Sequence, residues 1–92
     1  MLNAYQELPA VVSHEVLRIA RDAGRPVHDV SPGDTLASDL QFSSLMIARL
    51  VIELQERTEL DPFKDDYSMA DISTVGDLVA AYLATASKTK GT

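Results

Sequence analysis

Two serines, Ser43 and Ser44, stand where a turn-rich stretch gives way to the apolar run Leu45-Met46-Ile47-Ala48-Arg49-Leu50-Val51-Ile52. A hydroxyl at a loop-to-helix junction can serve in two ways. It can cap the helix, because its oxygen accepts from one of the backbone N–H groups left free in the first turn. It can also be the attachment point for a phosphate group, whose charge is favoured beside the positive end of a helix. The residues alone leave both uses open, and they allow Ser43 to cap while Ser44 is modified.

Other chemistry is harder to assemble. His14 and His28 show neither metal-ligand spacing nor the makings of a serine triad. The carboxylates Glu59, Asp61, Asp65, Asp66 and Asp71 lack the regular oxygen spacing and central glycine of a calcium loop, and read as a solvated acidic edge. There is no glycine-rich phosphate loop, and the absence of cysteine removes a thiol nucleophile, a zinc-thiolate site and disulfides. We therefore expect no catalytic residues, no metal and no enzyme activity.

The 92 residues suffice for one domain with a modest core, and 46% hydrophobic with 24% charged residues is a globular composition. A net charge of −6 without a basic stripe argues against nucleic acid and for protein partners or solubility. No apolar run approaches the roughly 20 residues of a membrane span, and the N-terminus lacks a signal-peptide pattern. Cysteine-free composition suits a reducing cytoplasm.

The elements that would position the serines follow from periodicity. Residues 10–23 place Val12, Val16, Ile19, Ala20 and Ala23 on one helical stripe, with Glu15, Arg18 and Asp22 off it. Pro9 is expected to limit any helix before it, so residues 1–9 read as a flexible lead-in. Gly24 and Pro26 stop the helix. Residues 27–42 form a long first loop with Val30, Leu36, Leu40 and Phe42 as single apolar anchors, so it is expected to be packed down and functional.

The second helix, about Ser44 to Arg57, has Ile47, Leu50, Val51 and Leu54 as its core stripe. Leu45, Met46, Ala48 and Ile52 form a further apolar set. They face a partner, with Arg49 beside them, unless the helix is buried on most sides. Near 66–70 a short helical turn is expected, with Tyr67 or Met69 plugging the core. A last helix begins near Thr74, where Thr74 and Asp77 resemble a capping box, and carries Val75, Leu78, Val79, Tyr82 and Leu83. It fades into a flexible tail over 86–92, leaving 10–85 as the domain. The expected fold is all-α: a small four-helix bundle of three main helices and one short one, with a long first loop.

That order carries two motifs at matching separations, Asp39-Leu40-Gln41-Phe42-Ser43-Ser44-Leu45 and Thr74-Val75-Gly76-Asp77-Leu78. Together they resemble the acyl carrier protein family, which includes the peptidyl carriers, over about Val11 to Leu83. The family pattern is Asp-Leu-Gly-x-Asp-Ser-Leu, and its serine carries 4′-phosphopantetheine derived from coenzyme A. This chain departs from it with Gln41 at the glycine and Ser43 at the aspartate. The resemblance implies a covalent 4′-phosphopantetheine at Ser44, whose thiol holds an acyl or aminoacyl group as a thioester. It implies as partners a phosphopantetheinyl transferase, a loading enzyme and downstream biosynthetic enzymes. Leu45, Met46, Ala48, Arg49 and Ile52 are the expected docking face, apolar in the manner of peptidyl or polyketide carriers. Phe42 and Tyr67 or Met69 are expected beside the arm or its cargo. Nothing requires more than a monomer. The reading from another class is a helical interaction module that docks through helix two and is never modified.

Overall fold

A computed structural model describes residues 4–25, 27–64 and 67–90. It contains three α-helices, α1 (Ala4–Asp22), α2 (Ser44–Thr58) and α3 (Val75–Lys90), with a 3₁₀ turn at Met69–Asp71 before α3. α1 packs against both α2 and α3. The expected all-α bundle is what forms.

Two helix bounds differ from the periodicity reading. α1 begins at Ala4 and runs through Pro9, so most of the expected lead-in is helix. Pro9 is the sixth residue of the helix, past the free N–H groups of the first turn, so it costs the ladder the bond to residue 5. Leu8, beside it, is a core residue, and burying such a side chain is worth about 1.5–3 kcal/mol. At the other end α3 continues to Lys90, through most of the expected tail.

The core is assembled from the expected stripes with local corrections. Val12, Val16, Ile19 and Ala20 of α1 meet Leu50 and Leu54 of α2 and Val75, Leu78 and Tyr82 of α3. Ala23 is exposed, because the chain leaves α1 at Asp22. Glu15, expected off the stripe, is fully buried. It lies between two cations: Arg18 donates to Oε1 at 2.8 Å, and Arg57 of α2 lies 2.5 Å from Oε2. Arg18 also pairs with Glu53, and Arg49 pairs with Glu53 at 2.6 Å and Asp22 at 2.9 Å. An ionic seam therefore joins α1 to α2.

α1 stops in a Schellman motif. Gly24, at φ 80°, donates to Arg21 O at 2.9 Å, and Arg25 N donates to Ala20 O at 2.9 Å. The first loop is then pinned from within and from outside. Leu36, Leu40 and Phe42 are buried, and Thr35 and Asp39 exchange backbone-to-side-chain bonds at 2.8 and 2.9 Å. Leu36 N donates to Ser73 O, while Pro32 O and Asp34 O accept from Gly76 N at 2.8 Å and Val75 N at 3.0 Å. The loop's carbonyls thus satisfy free N–H groups at the start of α3.

Gly76 leaves room for this approach, since a Cβ there would lie 3.0 Å from Pro32 O and crowd it. The Thr74–Asp77 capping box forms as expected, with Asp77 N donating to Thr74 Oγ1 at 3.0 Å and Thr74 N to Asp77 Oδ2 at 3.1 Å. Ser73 N adds a bond to Oδ2 at 2.9 Å. The backbone bonds from Ser73 and Thr74 hold the Asp77 carboxyl below its usual range.

Candidate functional site

The loop delivers its last residues to α2 through a tight sequence of contacts. Phe42 N donates to Leu36 O at 2.8 Å, and the Phe42 ring is buried. Ser43 follows as the N-cap, with extended backbone (φ −80°, ψ 169°) and its side chain accepting from Met46 N at 3.2 Å. Ile47 N donates to Ser43 O at 3.0 Å as the first helical bond. Ser44 is the first residue of α2, exposed, with its hydroxyl in no hydrogen bond among the described residues.

The two serines therefore differ in employment: one oxygen caps, and the other is free and outward. The N–H groups of Ser44 and Leu45 have no acceptor within the helix, and no acidic residue stands in the first turn. A phosphodiester on Ser44 would meet this uncompensated positive end, worth roughly 0.3–1 kcal/mol at an exposed site.

Gln41, at the family's glycine position, takes φ 57°. That is the left-handed conformation a glycine adopts without penalty. Arg25 Nη2 donates to the Gln41 carbonyl at 3.2 Å.

From Ser44 an apolar groove of about 480 Å³ runs along α2. Ile47, Val51 and Ile52 form one wall, while Phe63, Met69 and Ile72 from the 59–72 connection form the other. Ile47 and Val51, expected in the core, are half-buried because they line this groove. Of the residues expected beside an arm or cargo, Met69 lines the groove. Phe42 is instead a core anchor, and Tyr67 opens on a separate pocket with Ala84, Thr85 and Lys88. Sequence reading missed Phe63, which lies beyond Pro62 outside any helical stripe. Its ring meets Tyr82 edge-on with centroids 6.3 Å apart. Burial pushes the Tyr82 phenol far above its ordinary value.

Along α2, Leu45 is 80% and Ile52, also at the groove, 58% exposed, the large apolar side chains that the core leaves uncovered among the described residues. Ala48 is also exposed. Arg49 is exposed but tied into the ionic seam. Met46 departs from the expected face: it is half-buried and packs on the core. His14 and His28 are exposed and distant in sequence, and among the described residues no three metal-ligating side chains converge.

Comparison with known proteins agrees with this geometry. A family model described as "Phosphopantetheine attachment site" matches residues 16–82. The solution structure of MacpD, an acyl carrier protein from Pseudomonas fluorescens involved in mupirocin biosynthesis, is similar with a TM-score of 0.73 and 31% identity. That match covers 87% of this chain and 71% of MacpD. No curated protein sequence matches the chain.

A three-helix bundle with a serine poised at the start of α2 is thus a carrier architecture, and the chain belongs to the phosphopantetheine-binding acyl carrier protein family. Members of this family hold a covalently attached 4′-phosphopantetheine and are carriers rather than enzymes. The residues present fit that group, with an exposed hydroxyl, open N–H donors and an apolar groove leading away from it.

Proposed function

We propose that Ser44 is the attachment residue and that the chain presents an acyl group, held as a thioester, to partner biosynthetic enzymes. When bound, the arm supplies the thiol that the cysteine-free chain lacks. The observation that carries the reading is the division of labour at the start of α2: Ser43 caps while Ser44 stands exposed, its hydroxyl in no hydrogen bond among the described residues. In the attachment step a transferase brings coenzyme A to Ser44. A P–O bond forms to Oγ, the pyrophosphate bond of coenzyme A breaks, the nucleotide half leaves, and the hydroxyl proton passes to the transferase.

The groove favours an acyl over an aminoacyl cargo. Its walls offer aliphatic, aromatic and thioether surface and no charged side chain to pair with an amine. MacpD, an acyl carrier protein, points the same way. Leu45, Ala48 and Ile52, with Arg49 at their edge, form the docking face for the transferase and the loading and downstream enzymes. Because Arg49 is already paired with Glu53 and Asp22, docking depends on apolar contact more than on charge steering. A thiol-bearing arm and a chain without cysteine suit a reducing compartment, which we take to be the cytosol.

The test is intact mass after incubation with coenzyme A and a broad-specificity phosphopantetheinyl transferase, beside Ser44→Ala. One added phosphopantetheine that is lost in the variant is expected. No gain with several transferases, in a folded sample, would instead favour an interaction module that docks through α2 unmodified.

A further inference from the structure

Gln41 occupies a left-handed backbone position, φ 57°, two residues before the α2 cap and three before Ser44. For a residue with a Cβ this conformation is unfavourable and persists only where the surroundings hold it. A hydrogen bond from outside the turn reaches it: Arg25 Nη2 donates to the Gln41 carbonyl across 16 residues of sequence. Arg25 is itself anchored. Its N–H closes the Schellman motif on Ala20 O at 2.9 Å, and its carbonyl accepts from Val27 N at 2.9 Å. Its Nε is buried without a hydrogen-bond partner among the described residues, a cost that an arginine free to swing into solvent would avoid.

We infer that Arg25 is a positioning residue for Ser44. It clamps the Gln41 peptide in the left-handed turn and so supplies by tethering the conformation that a glycine would reach unaided. This rests on Ser44 being the attachment residue. The chain of action runs from the anchored end of α1, through the guanidinium, to the peptide that sets the direction in which the chain reaches Ser43 and enters α2. Without the clamp, Gln41 would relax toward negative φ. The Ser43 cap on Met46 N would then open more often, and the Ser44 hydroxyl would be presented in the right place a smaller fraction of the time.

The experiment compares wild type, Arg25→Met, Gln41→Gly and the double variant. Methionine keeps an apolar stem and removes the donors. Two readouts are taken: hydrogen exchange of the Met46 and Ile47 amides in the unmodified protein, and transferase kcat/KM with coenzyme A. Arg25→Met is expected to speed exchange at both amides and to lower kcat/KM, each by about tenfold, as loss of one charge-assisted bond allows. In the Gln41→Gly background the same substitution is expected to change both by less than about twofold.

An undiminished effect in the glycine background would overturn the inference, because it would mean that Arg25 touches the transferase directly or serves packing alone. Unchanged exchange and kcat/KM in Arg25→Met would also overturn it. Failure of the wild type to take up the arm would count against Ser44 as the attachment residue, and the exchange readout would still decide the clamp.

Discussion

Exchanging the two serines' roles by mutation gives a crossed result that few other arrangements would produce. Ser43→Ala removes the bond from Met46 N, the side-chain cap of a 15-residue helix that delivers Leu50 and Leu54 to the core. Loss of an N-cap serine costs about 0.5–2 kcal/mol. At 3.2 Å the bond is at the long end of the range, so we expect about 1 kcal/mol. With a urea slope of about 1 kcal/mol per molar for a domain this small, the unfolding midpoint should fall by about 1 M.

Ser44→Ala deletes an exposed hydroxyl that makes no hydrogen bond among the described residues and places a better helix former in the first turn. Its midpoint should stay within about 0.5 M of wild type. Urea unfolding of both unmodified variants, followed by circular dichroism, measures the pair. The same preparations, incubated with transferase, should show the arm on Ser43→Ala and not on Ser44→Ala. If Ser44→Ala lost as much stability as Ser43→Ala, or if only Ser43→Ala lost the arm, the division of labour would be refuted.

Three further outcomes follow from the contacts. Gly76→Ala should destabilise by about 1–2 kcal/mol despite alanine's helix propensity, because the new Cβ meets Pro32 O at 3.0 Å; thermal unfolding reads this as a drop of several degrees, and a rise in Tm would count against the close approach. Asp77 has a lowered native pKa, so the unfolded chain binds its proton first as pH falls; its stabilising effect is present above about pH 3.9 and is lost below it, through the native pKa. The gap in urea midpoint between wild type and Asp77→Asn should therefore be open at pH 7 and narrow as pH falls below about 3.9. Leu45→Ser with Ile52→Ser should leave the urea midpoint unchanged within about 0.5 M and raise KM for partner enzymes with kcat retained; a KM that instead tracked ionic strength would point to charge steering.

How much could be read from the sequence depended on the range of the forces involved. Stripes of period 3.6 located the cores of all three helices, and capping chemistry located the start of α3. These are local preferences written in neighbouring residues. The extent of α1 was not legible, because the helix-limiting rule for Pro9 is local while burial of Leu8 depends on the assembled core. Glu15 was misplaced for the same reason: besides the neighbouring Arg18, Arg57, far along the chain, arrives beside it.

The site divided similarly. The place of Ser44 at the start of α2 and the exposure of Leu45, Ala48 and Ile52 followed from pattern. Arg25, Phe63 and the groove depend on contacts between segments that share no periodicity. Met46 illustrates the limit of a helical wheel, since its neighbour Leu45 is exposed while it packs inward.

The central claim is that the arm is attached to Ser44 and not to the capping serine beside it. Fragmentation mass spectrometry of the modified peptide that spans both residues separates them, because cleavage between Ser43 and Ser44 assigns the added mass to one side. Attachment at Ser44 predicts fragments that carry phosphopantetheine from Ser44 onward and an unmodified Ser43. Added mass on Ser43, or on neither serine in a protein that has gained the arm, would contradict it.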